Sequence, residues 1–191
     1  MIYDEYKDRA GDIVSGTVRR FEKSDVLIDL GKFEGRIPSR ERVVTEEYNI
    51  GDRIRVYVVA VENETRGPEI ILSRSHPNFV RRLFESEVAE IADSTVEFRA
   101  IAREAGYRTK VAVASNDDKV DPVGACVGLR GARVKNIVRE LNNEKVDIIR
   151  WGDDPAEFVV DALKPANIRT ISLDKENKVV SVTVDEEELS K

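Results

Sequence analysis

Residues 12–76 alternate between hydrophobic and polar positions with the two-residue period of β-strands. Five such segments can be distinguished, and turns at glycine or polar residues separate them. In the fourth segment Val58 and Val59 are both apolar, which predicts an irregularity in that strand. Five short strands within about 65 residues, joined by turns of this kind, predict a small closed barrel. The segments are DIVSGTVRRFE, DVLIDLG, FEGRIP, DRIRVYVVAVENE and PEIILSRS.

The pattern changes at Pro77, where we predict a module boundary because proline stops a strand and can begin a helix. From Asn78, the predicted N-cap, apolar positions recur with a helical period. Two strands follow around the turn AGYR, then the short helix VGACVG, a helix over residues 132–142 and the closing strand VDIIRW. The first helix has one apolar face, made of Phe79, Val80, Leu83, Phe84, Val88 and Ile91.

The last 40 residues repeat the beginning of this order at the level of pattern: a helix, PAEFVVDALKP, and two strands, NIRTISLD and KVVSVTVD. We therefore predict an α+β multidomain chain. Its parts are an N-terminal helical linker (1–11), a barrel (12–76), a helix–strand module (77–151) and a partial second copy of that module (152–191).

The composition is that of a soluble protein with aliphatic cores, since 36% of the residues are charged and 6% are aromatic. No apolar run approaches the roughly 18 residues of a membrane span, and the first residues do not resemble a signal peptide. The single cysteine, Cys126, excludes an internal disulfide. We expect a cytoplasmic, monomeric protein that does not bind membranes.

The net charge of −6 argues against a general nucleic-acid binder, but the charge is unevenly distributed. Residues 152–191 carry 5 basic and 10 acidic side chains, whereas residues 128–139 carry four basic side chains and no acidic one. A distant acidic tail is screened beyond about 10 Å at ordinary salt. Local phosphate binding therefore remains possible around Arg130, Arg133, Lys135 and Arg139.

Two glycines, Gly128 and Gly131, stand three positions apart just before the basic helix. Glycines let a backbone approach a phosphate closely, and the amides of a helix N-terminus favour an anion. Arg130 and Arg133 could add positive charge, and a loop of this kind clamps about four nucleotides in the KH class. The alternative is that the glycines only allow two helices to turn sharply. An apolar groove floor for bases is expected from Val127, Val134 and Ile137.

The segment DPVGACVGLRGARVKNIVRELNNEKVDIIRW resembles the first KH domain of the NusA family, which are bacterial transcription elongation, termination and antitermination factors. The preceding barrel resembles the S1 domain of that family, IYDEYKDRAGDIVSGTV resembles the junction into it, and the tail resembles the first half of a second KH domain. The resemblance covers essentially the whole chain. It implies a five-stranded antiparallel OB-type (S1) β-barrel, a type II (prokaryotic) KH domain and a partial second KH unit.

Two departures from the family pattern matter. The N-terminal polymerase-binding domain of the family is absent and the second KH unit lacks its glycine loop, so we expect a fragment or a short homologue. Ser24, Leu27 and Pro38 occupy the positions where S1 domains commonly carry base-stacking side chains. Stacking contributes about 1–3 kcal/mol per base in single-strand binders, so this barrel should bind RNA weakly by itself.

The resemblance implies a non-enzymatic region without cofactor or metal that binds single-stranded nascent RNA and modulates elongation, pausing, termination and antitermination. RNA polymerase and other elongation factors are the implied protein partners. In the barrel, a basic patch with one aromatic side chain is predicted to bind RNA, although a solvated strand end is at least as good an interpretation. The predicted RNA-binding residues are Val127, Gly128, Leu129, Arg130, Gly131, Ala132, Arg133, Val134, Lys135, Ile137 and Arg139, with Arg19, Arg20, Phe21 and Lys23 in the barrel.

The sequence also allows other functions. A protein-interaction scaffold in a transcription or ribosome-associated complex is the main alternative. An enzyme is disfavoured because the sequence shows no paired carboxylates, metal-ligand cluster or nucleophile–base pair. We interpret His76 as structural or surface-exposed and Cys126 as a small core residue. Trp151 is assigned to packing between modules, with a base platform as its alternative, and the acidic segments 116–119 and 185–188 are assigned to solvated loops or helix starts.

Overall fold

The structure, a computed structural model, describes residues 2–191, with side chains from residue 4 onward. A short helix, α1 (Ile2–Tyr6), precedes five strands: β1 (Ile13–Glu22), β2 (Asp25–Asp29), β3 (Glu34–Ile37), β4 (Arg53–Glu64) and β5 (Gly67–Ser73). The strands form a closed barrel in the order β1-β2-β3-β5-β4, with β4 paired back to β1. The predicted barrel is therefore confirmed.

The barrel is not wholly antiparallel, which corrects the prediction. β3 and β5 run parallel over two residue pairs, Gly35 with Ile70 and Arg36 with Ile71, because the chain reaches β5 through the long strand β4. The irregularity predicted in β4 is present, since the register with β5 shifts between Val58 and Ala60. The extra residue of such a bulge lets two successive apolar side chains both be accommodated.

The second domain begins with α2 (Pro77–Glu87) and α3 (Ala89–Ala92). All six apolar side chains predicted for the helical face are buried. The prediction of Asn78 as N-cap is wrong: the His76 side chain accepts a hydrogen bond from the Asn78 amide (3.0 Å), with Pro77 in the first turn. The helical segment also divides at Val88, whose backbone is extended (φ −113°, ψ 103°).

A three-stranded sheet lies against these helices. Its strands are β6 (Val96–Glu104), β7 (Arg108–Ser115) and β8 (Lys145–Arg150), with β7 in the centre. β6 is antiparallel to β7 and β8 is parallel to it, as the type II KH topology requires. Between β7 and β8 come α4 (Pro122–Val127) and α5 (Ala132–Glu140). α5 ends two residues before the predicted end because Asn142 and Asn143 adopt positive φ, a conformation asparagine tolerates.

The C-terminal unit contains α6 (Pro155–Leu163) and the antiparallel pair β9 (Ile168–Asp174) and β10 (Val179–Val184). None of residues 152–191, all of which the structure describes, is fully buried. The unit therefore has no closed core of its own. It contacts the preceding domain through Trp151 and Phe158, whose ring centroids are 5.0 Å apart.

The barrel and the KH domain pack closely on each other. A Cβ on Gly106, in the turn between β6 and β7, would lie 2.2 Å from the Thr45 hydroxyl of the barrel. Nearby, Arg103 and Glu144 form a fully buried ion pair, and Arg103 also donates to the His76 carbonyl at the domain boundary (3.0 Å). Within the described residues, none of the helices combines the length and the apolar character of a membrane-crossing segment.

Candidate nucleic-acid interface

Residues 128–131, which we call the G-x-x-G loop, connect α4 to α5 in a tight turn. Gly128 has φ 76° and ψ 173°, a region that is essentially restricted to glycine, and Gly131 is left-handed with φ 73° and ψ 17°. Arg130 is itself left-handed (φ 54°, ψ 26°). The backbone therefore requires glycine at position 128, as the turn interpretation expected, whereas Gly131 has a left-handed conformation that Arg130 also adopts. A phosphate-binding role would be additional to this.

The middle of the loop projects into solvent. Leu129 is 86% exposed, and Arg130 is exposed as well. Among the described residues, the Arg130 guanidinium has no hydrogen-bond or ion-pair partner. Lys135 donates to the Arg130 carbonyl (3.1 Å), which holds the loop against the first turn of α5. The loop thus exposes the unpaired Arg130 side chain, and the hydrogen bond from Lys135 holds its backbone against α5.

Arg133 is already engaged inside the domain. Its Nη1 donates to Glu90 (2.7 Å) in α3 and to the Ala125 carbonyl (2.8 Å) in α4. Its side chain is half-buried. Arg133 therefore joins three helices around the loop, and the predicted phosphate contact would require it to leave these partners. That contact stays a prediction.

A groove of about 440 Å³ lies beside the loop, between the α4–α5 pair, β8 and α6. Val127 and Val134 line it, as expected for a groove floor. Residues 146–150 of β8 line it too. Within the part of the chain that the structure describes, β8 pairs only with β7, so its outer edge has no strand partner there. The groove can therefore offer both apolar side chains and unpaired backbone groups to a ligand.

Ile137 does not belong to this groove, which corrects the sequence prediction. It is 2% exposed and packs in the core with residues of α2 and β6, so a base cannot reach it. Arg139 is exposed but borders a different cleft, together with Asn136, Glu87 and Arg55 of the barrel. The α5 residues predicted as one binding surface are therefore divided between the groove beside the loop (Val134), the core (Ile137) and a second cleft (Arg139).

Three basic side chains of the groove were not recognised in the sequence: Lys110, Arg150 and Lys164. Lys110 donates to the carbonyl of Ala162 at the end of α6, and its burial, with the nearby Arg108, lowers its pKa. Arg150 forms an ion pair with Asp121 (2.9 Å). No local pattern could have identified them, because β7, β8 and α6 meet only in the folded chain.

Comparison with known proteins supports the assignment of the barrel and of the domain that follows it. Residues 7–75 match the S1 RNA binding domain, and residues 74–151 match the NusA-like first KH domain. Over 190 residues the chain is 46% identical to the transcription termination/antitermination protein NusA of Halalkalibacterium halodurans and to that of Bacillus subtilis. It is 44% identical to that of Thermus thermophilus. The chain belongs to the NusA family.

The similarity to these NusA proteins extends along the whole of this chain, covering 100%, 100% and 99% of it. It covers 50%, 51% and 49% of the respective NusA proteins, so the chain spans about half the length of these relatives. The resemblance to the S1 and first KH domains of the NusA family is confirmed.

The predicted patch of this NusA-family barrel lies at the end of β1 and in the following turn. Arg20 donates to both carboxylate oxygens of Glu34 (3.0–3.2 Å), and Arg19 lies 4.0 Å from the same carboxylate. Phe21 is 40% exposed, and Lys23 occupies a left-handed turn position (φ 57°). None of these residues lines the groove beside the G-x-x-G loop. Their role in RNA binding stays a prediction.

Three other residues have structural roles in this NusA-family chain. His76 caps α2 and stacks on Tyr57, with ring centroids 4.8 Å apart. Cys126 is fully buried, and burial raises the pKa of its thiol to about 12, which removes the thiolate that a nucleophile needs. Trp151 packs on Phe158 between the KH domain and the C-terminal unit, as predicted.

Proposed function

We propose that this chain is the RNA-binding region of a NusA-family factor, which binds single-stranded nascent RNA and modulates elongation, pausing, termination and antitermination without catalysing a reaction. The observation that carries the proposal is the G-x-x-G loop, which holds the unpaired Arg130 beside a groove with apolar walls. The S1 and KH domains and the names of the NusA relatives support it.

Each part of the interface supplies a different contact with RNA. The exposed loop and Arg130 attract phosphate, which positions the strand without reading its sequence. Bases turned into the groove would meet Val127 and Val134, and the free edge of β8 offers backbone donors and acceptors to base edges. Duplex RNA does not expose its base edges in this way, so a single strand is the fitting ligand.

The protein partners follow from the family and not from this geometry. We propose RNA polymerase and other elongation factors as partners and a monomeric, cytoplasmic protein. No cofactor is required, because binding rests on charge, apolar contact and backbone hydrogen bonds.

The test measures binding of short single-stranded RNAs to the parent and to the variants Arg130→Glu and Gly128→Asp. We expect Arg130→Glu to weaken binding about tenfold or more, since a lost charge-assisted contact costs about 1.5–3 kcal/mol. Gly128→Asp should also weaken binding, because it places a side chain and a negative charge where the backbone would approach a phosphate. Arg66→Glu is the matched control, because Arg66 is an exposed arginine without a partner among the described residues and lies in the β4–β5 turn.

Two results would contradict the proposal. One is a folded Arg130→Glu variant that binds RNA as the parent does. The other is a parent protein that binds no RNA at any salt concentration yet retains a stable protein partner, which would favour the scaffold function. In the expected case affinity falls as salt rises, because phosphate contacts release counterions.

A further inference from the structure

Arg74, at the end of the barrel, is almost fully buried, with 3% of its side chain exposed. Its Nε and Nη2 donate to the two carboxylate oxygens of Glu46 (2.8 and 2.7 Å), a two-point ion pair within the barrel. Nη1 donates to the Arg55 carbonyl of β4 (2.8 Å). The guanidinium also lies over the Phe79 ring of α2, with 5.0 Å between its carbon and the ring centroid. Contacts with the barrel and with α2 thus hold this side chain in one orientation.

The remaining donors of Arg74 reach the KH domain. Nη2 donates to the main-chain carbonyl of Glu140 (2.8 Å), and Nη1 donates to the Glu140 carboxylate (3.3 Å). Glu140 is the last residue of α5. Carbonyls in the last turn of a helix lack an intrahelical partner, and a cation there also favours the helix dipole. The barrel therefore supplies a cap for this helix from 66 residues away in the sequence.

The other end of the same helix carries the G-x-x-G loop. α5 has nine residues, so its two ends are about 13 Å apart at 1.5 Å per residue. A helix this short moves as a rigid rod, and a displacement of its C-terminal end is transmitted to the loop. We propose that Arg74 is a positioning residue that anchors α5 to the barrel and thereby fixes the position of the G-x-x-G loop. The proposal rests on the RNA-binding role of the loop for its functional consequence only.

The double variant Arg74→Met/Glu46→Gln tests the proposal. It removes the anchor and does not leave the Glu46 charge buried without a counterion, which alone would be strongly destabilising. We expect a folded protein whose Glu140 carbonyl and residue 128–131 amide resonances move from their parent positions. Affinity for a four-nucleotide RNA should fall about threefold or more, since the loop is no longer held in its binding position.

Arg36→Met is the matched control. Arg36 also binds several carboxylates, Glu22, Asp25 and Glu69, but all of them lie within the barrel. It should leave the resonances of the loop unchanged. If the double variant does not fold, the variant Arg74→Lys is measured in its place. Lysine keeps the positive charge but lacks the planar fork of donors with which the guanidinium donates to Glu46 and Glu140 at the same time. A shift of the loop resonances in Arg74→Lys supports the proposal.

A folded Arg74 variant with unmoved loop resonances overturns it. The NMR measurement needs no RNA, so it separates this proposal from the proposed function. If the parent binds no RNA while the loop resonances respond to Arg74, the proposed function fails and the mechanical coupling stands.

Discussion

The aliphatic stem of Arg133 fills the space in which Gly128 would carry a side chain. A Cβ on Gly128 would lie 2.7 Å from Cγ and 3.0 Å from Cβ of Arg133. The same arginine bridges Glu90 and Ala125, so the glycine and the arginine together fix the way α4 turns into α5. The packing of Gly128 against Arg133 therefore fixes the conformation of the loop without a ligand.

This contact predicts that Gly128→Ala destabilises the domain. The added methyl group meets the Arg133 stem in a backbone region that alanine avoids, and we expect a loss of about 1–3 kcal/mol in the free energy of unfolding. Gly131→Ala is the control, because its nearest neighbour would be 3.6 Å away and its left-handed conformation is less costly. Urea denaturation measures both. Equal stabilities of the two variants would contradict the assigned role of Gly128.

Variants of Arg130 and Arg133 should affect different properties: one should weaken RNA binding and the other should lower the free energy of unfolding. We expect Arg133→Met to lose about 1–2 kcal/mol of stability, since two charge-assisted hydrogen bonds and their partners are affected. Arg130→Met should stay within about 0.5 kcal/mol of the parent, because the exposed side chain has no hydrogen-bond or ion-pair partner among the described residues, and should weaken RNA binding instead. Thermal unfolding and RNA titration of both variants test this. A strongly destabilised Arg130→Met would show that the loop is misassigned.

Removing one partner of the buried pair of Arg103 and Glu144 should strongly destabilise the KH domain. Glu144 accepts hydrogen bonds from Arg103, from the Gly106 amide (2.6 Å) and from the Thr109 hydroxyl (2.6 Å). Glu144→Gln leaves Arg103 buried without a counterion, and we expect a loss of about 3–5 kcal/mol.

The exposed ion pair between Arg169 and Asp185 provides the comparison for that variant. Asp185→Asn should cost less than about 1 kcal/mol, since exposed pairs contribute little. Denaturant midpoints and slopes give both values. If Glu144→Gln were as mild as Asp185→Asn, the buried network would not stabilise the domain.

Asp25 should make barrel stability depend on pH at the acidic end. Hydrogen bonding from Arg36, chiefly, and from the Ser39 amide lowers the pKa of the Asp25 carboxyl below its usual 3.8. A carboxyl whose pKa is lower in the folded state stabilises the protein above its unfolded pKa, and this contribution is lost as the pH falls through the folded pKa.

The corresponding measurement is the free energy of unfolding of the parent and of Asp25→Asn between pH 6 and about 3. We expect the parent to lose stability below about pH 4 more steeply than the variant, by a modest amount because the group is partly exposed to solvent. Parallel pH profiles for the two proteins would show that this carboxyl contributes nothing.

Much of the fold could be predicted from local patterns. The period of apolar side chains located the five barrel strands, the irregularity near Val58 and the buried face of α2, because each depends on neighbours along the chain. The N-cap of α2 was assigned to the wrong residue. Asparagine is the more usual cap, and only the folded geometry shows that the helix begins earlier, at Pro77, where the His76 ring nitrogen accepts a hydrogen bond from the Asn78 amide.

The candidate site was predicted less completely. The glycine loop and the groove residues Val127 and Val134 were identified, since glycine spacing and sequence adjacency are local properties. The far wall of the groove was missed because Lys110 and Lys164 come together only when α6 packs beside the sheet. The parallel contact of β3 with β5 was missed for the same reason, since pairing direction is not encoded in either strand alone.

The sequence by itself determined which segments are strands and helices, where glycine must stand, and which family the chain resembles. Only the tertiary structure decided which cations are available to a ligand. Arg130 is unpaired, Arg133 is bound to Glu90 from 43 positions earlier, and Arg74 spans two domains. The physical reason is that side-chain charge is a property of one residue, whereas its neutralisation depends on partners that folding brings within a few ångströms.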